Sequence, residues 1–288
     1  MTPPQRRISA IVVTYHTGPL LWDSLDALQH APGVTDIVVV NNGNPPEVEQ
    51  RLAAEPCWRL LTGHGNIGFA AACNRGAAAA SGEALLFVNP DCIVDPETPA
   101  LLAAAAEAAR VRPAVVGGRV LNLDGREQRG CRRDTVTPLR ALMSMVGLTR
   151  LEPLIPALRN LHRERDPLPD APSPVGAVSG ALFLLMRDDF QRLEGLDEGY
   201  FLHVEDLDLC RRAWLEGGAT LFHPTATARH ARSTSAASPL VVERHKAAGF
   251  RRYFRKFAQT PVDKALAGVA GPLIETALLT RARLRGLT

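Results

Sequence analysis

Three apolar runs rich in β-branched residues each end in a cluster of small polar residues, and this pattern constrains the chain more than any other feature. Ile8–Thr14 runs into Tyr15-His16-Thr17, Ile37–Val40 into Asn41-Asn42-Gly43-Asn44, and Ala84–Val88 into Asn89-Pro90-Asp91. Short continuous apolar runs without alternation read as strands buried on both faces. Trp58–Thr62 reads as a further strand. Between these runs the spacing turns helical: Leu20, Leu21, Leu25 and Leu28, then Pro46–Ala54, then the Ala-rich Ile67–Ala80 and Pro99–Arg110. Strands alternating with helices predict a mostly parallel α/β sheet flanked by helices. Ligands of such sheets bind at the carboxyl ends of the strands. The three polar clusters are therefore expected to share one crevice.

The second half is less regular. Val115–Asn122, Ala177–Met186 and Ala219–His223 read as strands, and Asp188–Leu193 and Val204–Glu216 as helices. His223 reads as a turn residue ahead of Pro224. Seven prolines between Arg132 and Pro174, with Met143, Met145, Leu148 and Leu151 among basic residues, suggest an insertion with short helices. Leu240–Phe257 has the spacing of an amphipathic basic helix, and Val262–Leu279 reads as a weaker helix interrupted at Gly271-Pro272. The organisation expected is a first half over 1–122, a second half of the same domain over 123–239 carrying the insertion at 132–174, and a helical tail over 240–288.

Charge and cysteine content narrow the setting. The 33 Lys/Arg and 30 Asp/Glu residues leave a net charge of +3, which gives no reason to expect nucleic acid as a partner. Ten Lys/Arg against three Asp/Glu fall after residue 239, so the tail carries +7. A basic tail on a slightly acidic body suits an anionic surface such as lipid. Cys57, Cys73, Cys92, Cys131 and Cys210 form no CxxC pair, and no apolar core resembling a signal peptide follows Met1. Reduced thiols and a cytoplasmic location, peripheral on the inner face of a membrane, are the expectation.

Two acidic clusters can carry chemistry. Asp91 follows a buried strand and a proline-fixed turn, where a carboxylate can share Mg²⁺ or Mn²⁺ with a substrate's phosphates. An ordinary Asn-Pro-Asp turn would look the same. Glu205 and Asp206 open a predicted helix. Acids there commonly complement the helix dipole, and a carboxylate in a cleft can also act as a general base. Asp208 with Arg211 or Arg212 has the spacing of an exposed helical ion pair. His230 can complete a divalent metal shell. The Gly63-His64-Gly65-Asn66 loop precedes a helix whose N–H groups can meet phosphate or ribose.

Taken in order, these motifs resemble family 2 glycosyltransferases, the inverting group with a GT-A fold, and most closely the bacterial rhamnosyltransferase-like branch. Val12-Val13-Thr14-Tyr15 resembles the opening strand and its nucleotide-contacting turn, and Asn41-Asn42-Gly43-Asn44 the base-binding end of the second. Asn66-Ile67-Gly68-Phe69 through Asn74-Arg75-Gly76 resembles the N-x-G-F…N-x-G helix, and Asn89-Pro90-Asp91 the metal motif. Gly180-Ala181, followed by Glu205-Asp206-Leu207-Asp208-Leu209-Cys210-Arg211-Arg212, resembles the acceptor-side segment, and His230 followed by Ser233 the late histidine.

The resemblance implies a GT-A fold: a Rossmann-like, mostly parallel sheet, an acceptor-side half and C-terminal helices. It implies a nucleotide diphosphate sugar donor bound by Thr14, Tyr15, Asn41, Asn42, Gly43, Asn66, Gly68, Phe69, Asn74, Asn89 and Asp91. It implies a divalent metal, Mg²⁺ or Mn²⁺, at Asp91 and His230. Asp206 is implied as base with Glu205 beside it, and Gly180, Ala181 and Arg212 as acceptor-side support, Arg212 serving the Glu-Asp turn or the diphosphate. The acceptor implied is a glycan or a lipid-linked sugar, in bacterial envelope or exopolysaccharide synthesis. Two positions depart from the pattern: Asn41 and Asn89 stand where carboxylates are usual. A nucleotidyltransferase would need a Gly-rich basic loop after the first strand, where this chain has Thr14-Tyr15-His16-Thr17-Gly18. A glycoside hydrolase would not need Asn-rich strand ends. A degenerate protein that binds sugar nucleotides or lipid without turnover is the non-enzyme alternative.

Overall fold

The computed structural model describes residues 6–145, 148, 152, 154, 160–231 and 238–285. Leu151 and Ser233 lie outside the described residues.

The predicted strands form because their residues pack on both faces. β1 (Ile8–Thr14) is buried along its whole length, as are β4 (Ala84–Val88) and the second half of β2 (Val34–Asn41). β1 sits between β2 and β4 and runs parallel to both, with Thr14 opposite Asn41 and Val12 opposite Val88. β3 (Arg59–Leu61) adds to the far side of β2. Helices α1 (Leu20–Gln29), α2 (Pro46–Ala54), α3 (Phe69–Ala79) and α4 (Thr98–Glu107) occupy the connections. Gly76 allows α3 to lie close on the sheet, since a Cβ there would stand 2.5 Å from Ile11 Cγ2.

The sheet continues through the second half of the chain, and there it becomes mixed. β10 (Leu182–Met186) pairs antiparallel with both β4 and β6 (Ala114–Leu121). β6 pairs parallel with β11 (Ala219–His230), which also holds β5 (Cys92–Val94) and β8 (Ser173–Pro174) antiparallel. The order is β3-β2-β1-β4-β10-β6-β11-β5, with β8 beside β11. β7 (Arg132–Arg133) and β9 (Ala177–Val178) form a separate two-stranded ribbon.

Three expectations are corrected. The strand read as Ala177–Met186 breaks at Ser179–Ala181, where the chain leaves the ribbon to join the sheet. The strand read as Ala219–His223 runs on to His230. Pro224 falls within an irregularity of pairing between His223 and Thr227, where a missing N–H interrupts no ladder bond. His223 is thus a buried strand residue. The helix expected to break at Gly271-Pro272 is continuous as α9 (Pro261–Arg285). The insertion contributes α5 (Pro138–Met145). α6 (Arg187–Arg192), α7 (Glu205–Leu215) and the basic α8 (Pro239–Phe257) complete the order, with α8 and α9 packed as a hairpin.

Candidate active site

The carboxyl ends of β1, β2 and β4 converge as the alternation implies, and asparagines knit those of β1 and β2 to each other and to the Asn66–Gly68 turn. Asn44 Nδ2 donates to Thr14 O (3.2 Å) and Asn41 Oδ1 (2.9 Å). Thr14 Oγ1 donates to Thr17 Oγ1 at 3.0 Å. Asn42 Nδ2 reaches Asn66 Oδ1 (3.0 Å) and Gly68 O (3.2 Å), and its Oδ1 accepts from Ile67 N. Tyr15 packs over Gly43, whose φ of +115° and lack of Cβ bring the ring to van der Waals distance. Asn41 is more committed than expected. Its Oδ1 accepts from Gly43 N and Asn44 N, and its Nδ2 donates to Glu49 Oε2 and Thr62 Oγ1. It holds the strand-end turn in shape.

The Asn66–Phe69 segment joins the two halves of the chain. Gly68 (φ +85°, ψ 164°) occupies a region open essentially to glycine alone. A Cβ there would meet Phe201 O at 2.8 Å. Phe69 N donates to Phe201 O at 2.7 Å. Asn74, expected among the donor-binding residues, is used otherwise: its amide brackets the loop 122 residues away, through Leu196 O (2.8 Å), Leu196 N (2.8 Å) and Glu198 Oε1 (2.9 Å).

Phe201 leads into a strained entry to α7. His203 and Val204 both have positive φ, +68° and +77°. For a β-branched residue this is a genuine outlier, of the kind that gathers at functional sites. The strain sets the direction in which Glu205 and Asp206 leave the helix start. Asp206 Oδ2 accepts from Gly180 N (3.1 Å) and from Arg133 Nη2 (2.5 Å), and its Oδ1 from Leu207 N (2.8 Å). Burial works to raise the Asp206 pKa, but the Arg133 charge and these N–H groups outweigh it and hold the carboxyl below its ordinary range. Glu205 lies the other way. Burial, reinforced by the Asp206 charge, raises its pKa to about 8, and its Oε2 has no hydrogen-bond partner. The pair therefore carries one negative charge at neutral pH, placed on Asp206.

Gly180 and Ala181 connect this pair to the strand-end crevice. Gly180 leaves room for Asp206, and Ala181 O accepts Asn89 N at 3.0 Å. Beyond Asn89, Asp91 Oδ1 stands 3.0 Å from His230 Nε2. His230 Nδ1 faces Gln128 Oε1 at 2.8 Å. Gln128 is oriented in turn because its Nε2 donates to Asn122 Oδ1 (3.1 Å) and His230 O (3.3 Å). In neutral His230 the ring proton therefore belongs on Nδ1, and the lone pair of Nε2 faces both the Asn89 Nδ2 amide donor (3.3 Å) and the Asp91 carboxylate. Two acceptors at that distance suit a cation between them, and the oxygen and nitrogen pair fits Mg²⁺ or Mn²⁺. Among the described residues no three His, Cys, Asp or Glu side chains converge. Such an ion would need oxygens from the substrate.

Arg212 and Asp208 are corrected. Asp208 is fully buried, not an exposed partner; it accepts from Tyr200 Oη (3.1 Å), Arg212 Nε (2.5 Å) and Lys256 Nζ (2.7 Å). The rest of the Arg212 guanidinium reaches Leu193 O and Gly195 O. Its hydrogen bonds brace Asp208 and the loop after α6 rather than Glu205 or Asp206. The sequence does not single out Arg133 and Gln128, because both lie around the Pro-rich segment that reads as irregular. The run Cys131-Arg132-Arg133 carries no periodic signal for a residue that enters the site.

The profile of glycosyl transferase family 2 matches residues 9–176. An N-acetylglucosaminyl-diphospho-decaprenol L-rhamnosyltransferase of Mycobacterium tuberculosis is 29% identical over 242 residues, 79% of this chain and 77% of that protein. Among solved structures, a mannosyltransferase from Pyrobaculum calidifontis in complex with GDP-Man and Mn²⁺ superposes with a TM-score of 0.58 at 16% identity, covering 97% of this chain and 74% of that one. GalNAc-T7 with UDP, GalNAc and Mn²⁺ gives 0.59 at 16% identity; 82% of this chain is covered but only 45% of that one. At these identities the structures show the fold, which is GT-A.

Proposed function

We infer the reaction from one premise: the chain belongs to glycosyl transferase family 2 and is a glycosyltransferase. The donor is a nucleoside diphosphate sugar, and the acceptor is a hydroxyl of a glycan or lipid-linked sugar. The reaction is a single displacement with inversion, in assembly of a bacterial envelope or secreted polysaccharide. One observation carries this reading: Gly180 and Ala181 tie an ionised carboxylate at Asp206 to Asn89, the neighbour of the Asp91–His230 pair.

Thr14, Tyr15, Asn42, Gly43 and the Asn66–Phe69 turn shape the nucleoside end. Asp91 and His230 would hold a divalent cation, which when bound supplies neutralisation of the charge growing on a departing diphosphate. Asp206 takes the proton of the attacking hydroxyl as that oxygen bonds to the anomeric carbon from the face opposite the diphosphate. Arg133 keeps Asp206 ionised in the resting site and must loosen its grip as the proton arrives. Glu205, protonated at neutral pH, offers an O–H donor beside the base. Exposed apolar residues and the basic tail support a peripheral position on the cytoplasmic face of a membrane, beside a lipid-linked acceptor.

The test is nucleoside diphosphate release from candidate sugar nucleotides, with acceptor present, in Mn²⁺ and in chelator. Release in Mn²⁺ alone, lost by a factor of about 10² or more in Asp206→Asn, supports the reading. Donor binding without release under any condition would identify a degenerate binding protein instead.

A further inference from the structure

β2 and β3 end side by side at one edge of the sheet, with Val40 opposite Leu61. The next residue of each, Asn41 and Thr62, meets a third side chain, Glu49 in the first turn of α2. Asn41 Nδ2 donates one hydrogen to Glu49 Oε2 at 3.0 Å and the other to Thr62 Oγ1 at 3.2 Å. Thr62 Oγ1 gives its own hydrogen to Glu49 Oε1 at 2.7 Å. The Asn41 amide cannot be flipped, because its Oδ1 takes the backbone N–H groups of Gly43 and Asn44.

The three side chains therefore have no hydrogen left to donate. The carboxylate still has lone pairs, since each of its oxygens accepts one bond here and can accept a second. Asn41 is buried, whereas Glu49 and Thr62 reach solvent. The face they present accepts hydrogen bonds and gives none. An acid in the first turn of α2 also complements the helix dipole, a need that exposed Glu47 already meets. Across the sheet β3, β2, β1 and β4 follow in order, so Thr62 and Asn89, which follow β3 and β4, lie three strand spacings apart, about 14 Å. Tyr15, packed over Gly43, stands between them. Base, ribose and two phosphates laid in sequence cover such a span, with the base edge at Glu49 and the phosphates toward the Asp91–His230 pair.

We propose that Glu49 reads the nucleobase of the donor and selects one whose pairing edge carries a ring N–H: uracil, thymine or guanine. This rests on the sugar-nucleotide donor proposed above. The ring N–H gives its hydrogen to a free lone pair of the carboxylate, a charge-assisted bond. Cytosine and adenine present a bare ring nitrogen at the same place, and neither the carboxylate nor its two neighbours has a hydrogen to offer it. Two acceptors then face each other, which rejects the wrong base more firmly than a missing contact would. Asn41 acts one step back: it aims the carboxylate and does not itself meet the base.

The test is calorimetry with UDP, dTDP, GDP, CDP and ADP in Mn²⁺, with no acceptor and no turnover. The wild type should bind at least one of the first three about tenfold or more tightly than CDP and ADP. Glu49→Gln, whose amide can donate, should lose about tenfold or more for that preferred nucleotide and gain affinity for CDP or ADP. Glu49→Ala should show the loss without the gain, and thermal melts confirm that both variants fold. A wild type that binds all five alike overturns the proposal, as does a preference that survives both substitutions. Equal weakening of all five overturns it too, and makes Glu49 a brace for the Asn41 turn alone. Failure of the wild type to bind any of the five removes the donor reading as well, whereas a base preference indifferent to Glu49 leaves that reading standing and sinks only this one.

Discussion

At the scale of single residues, the adjacent carboxyls of Glu205 and Asp206 do different work because their surroundings differ. Arg133 and two backbone N–H groups serve Asp206, whereas burial beside that negative charge keeps Glu205 protonated up to about pH 8. If Glu205 serves as a hydrogen-bond donor, turnover falls as pH rises through about 8, and Glu205→Gln stays active with that alkaline fall removed. If Glu205 were itself the base, Glu205→Gln would be inactive and the wild-type rate would rise through the same range, so a pH–kcat profile of the two proteins separates the roles. Stability has a matching sign. A carboxyl whose folded pKa is raised contributes fully below its ordinary range and loses that contribution as pH climbs through about 8. The Glu205→Gln protein should therefore lose less in thermal midpoint between pH 7 and 9 than the wild type. Gln128 offers a second residue-level prediction. It fixes the His230 tautomer from behind, and loss of such outer partners costs roughly 10–100-fold in metal affinity. Gln128→Leu should weaken Mn²⁺ binding by that factor in calorimetry, with Asp91 untouched; unchanged affinity would mean that the histidine is held another way.

At the scale of elements, the convergence of the asparagine-rich strand ends was legible, but what each asparagine does was not. Buried strands announce themselves by composition, and a parallel sheet gathers their carboxyl ends whatever their sequence. Hydrogen-bond partners follow from tertiary approach. Asn74 sits in a recognisable motif, yet its partners lie at Leu196 and Glu198, and only the folded chain brings them together. Arg133 and Gln128 were illegible for the same reason, since the ribbon and strand edges that position them are too short to leave a periodic trace. The extension of β11 to His230 was hidden because Pro224 looks like a stop, although it falls where the pairing shifts register. The contact of Gly68 with the Phe201 turn joins the two halves and is open to direct test. Gly68→Ala forces a Cβ against Phe201 O in a conformation that alanine resists, at about 1–3 kcal/mol. A fall of roughly 2–8 °C in thermal midpoint should follow. Because Phe201 leads to Glu205, kcat should drop as well. A variant as stable and active as wild type would show that the halves are not coupled through this glycine.

At the scale of the whole molecule, the outward face of α9 remains to be accounted for. Val262, Leu266, Val269, Leu273 and Leu284 are 41–66% exposed and follow helical spacing along one side, while Ala267, Ala270, Ile274, Leu278 and Ala282 are buried on the other. Leu139 on α5, against which α9 packs, and Leu148 and Leu154 beyond it are exposed too. No helix among the described residues is long and apolar enough to cross a membrane. A stripe of this kind on a tail of net charge +7 matches an anionic bilayer, into which an amphipathic helix settles its apolar side while basic residues meet the headgroups. The protein should therefore sediment with phosphatidylglycerol vesicles at low salt, less so as salt rises, and hardly with neutral phosphatidylcholine vesicles. Leu266→Glu with Leu273→Glu should abolish sedimentation at every salt concentration while leaving the thermal midpoint near wild type, since both side chains already face outward. If the wild type ignores vesicles and the same double variant instead converts a dimer to a monomer in light scattering, a second copy covers this face and the membrane assignment is wrong. Sedimentation that survives the double variant but vanishes in high salt would leave attraction by charge alone, with the stripe facing water.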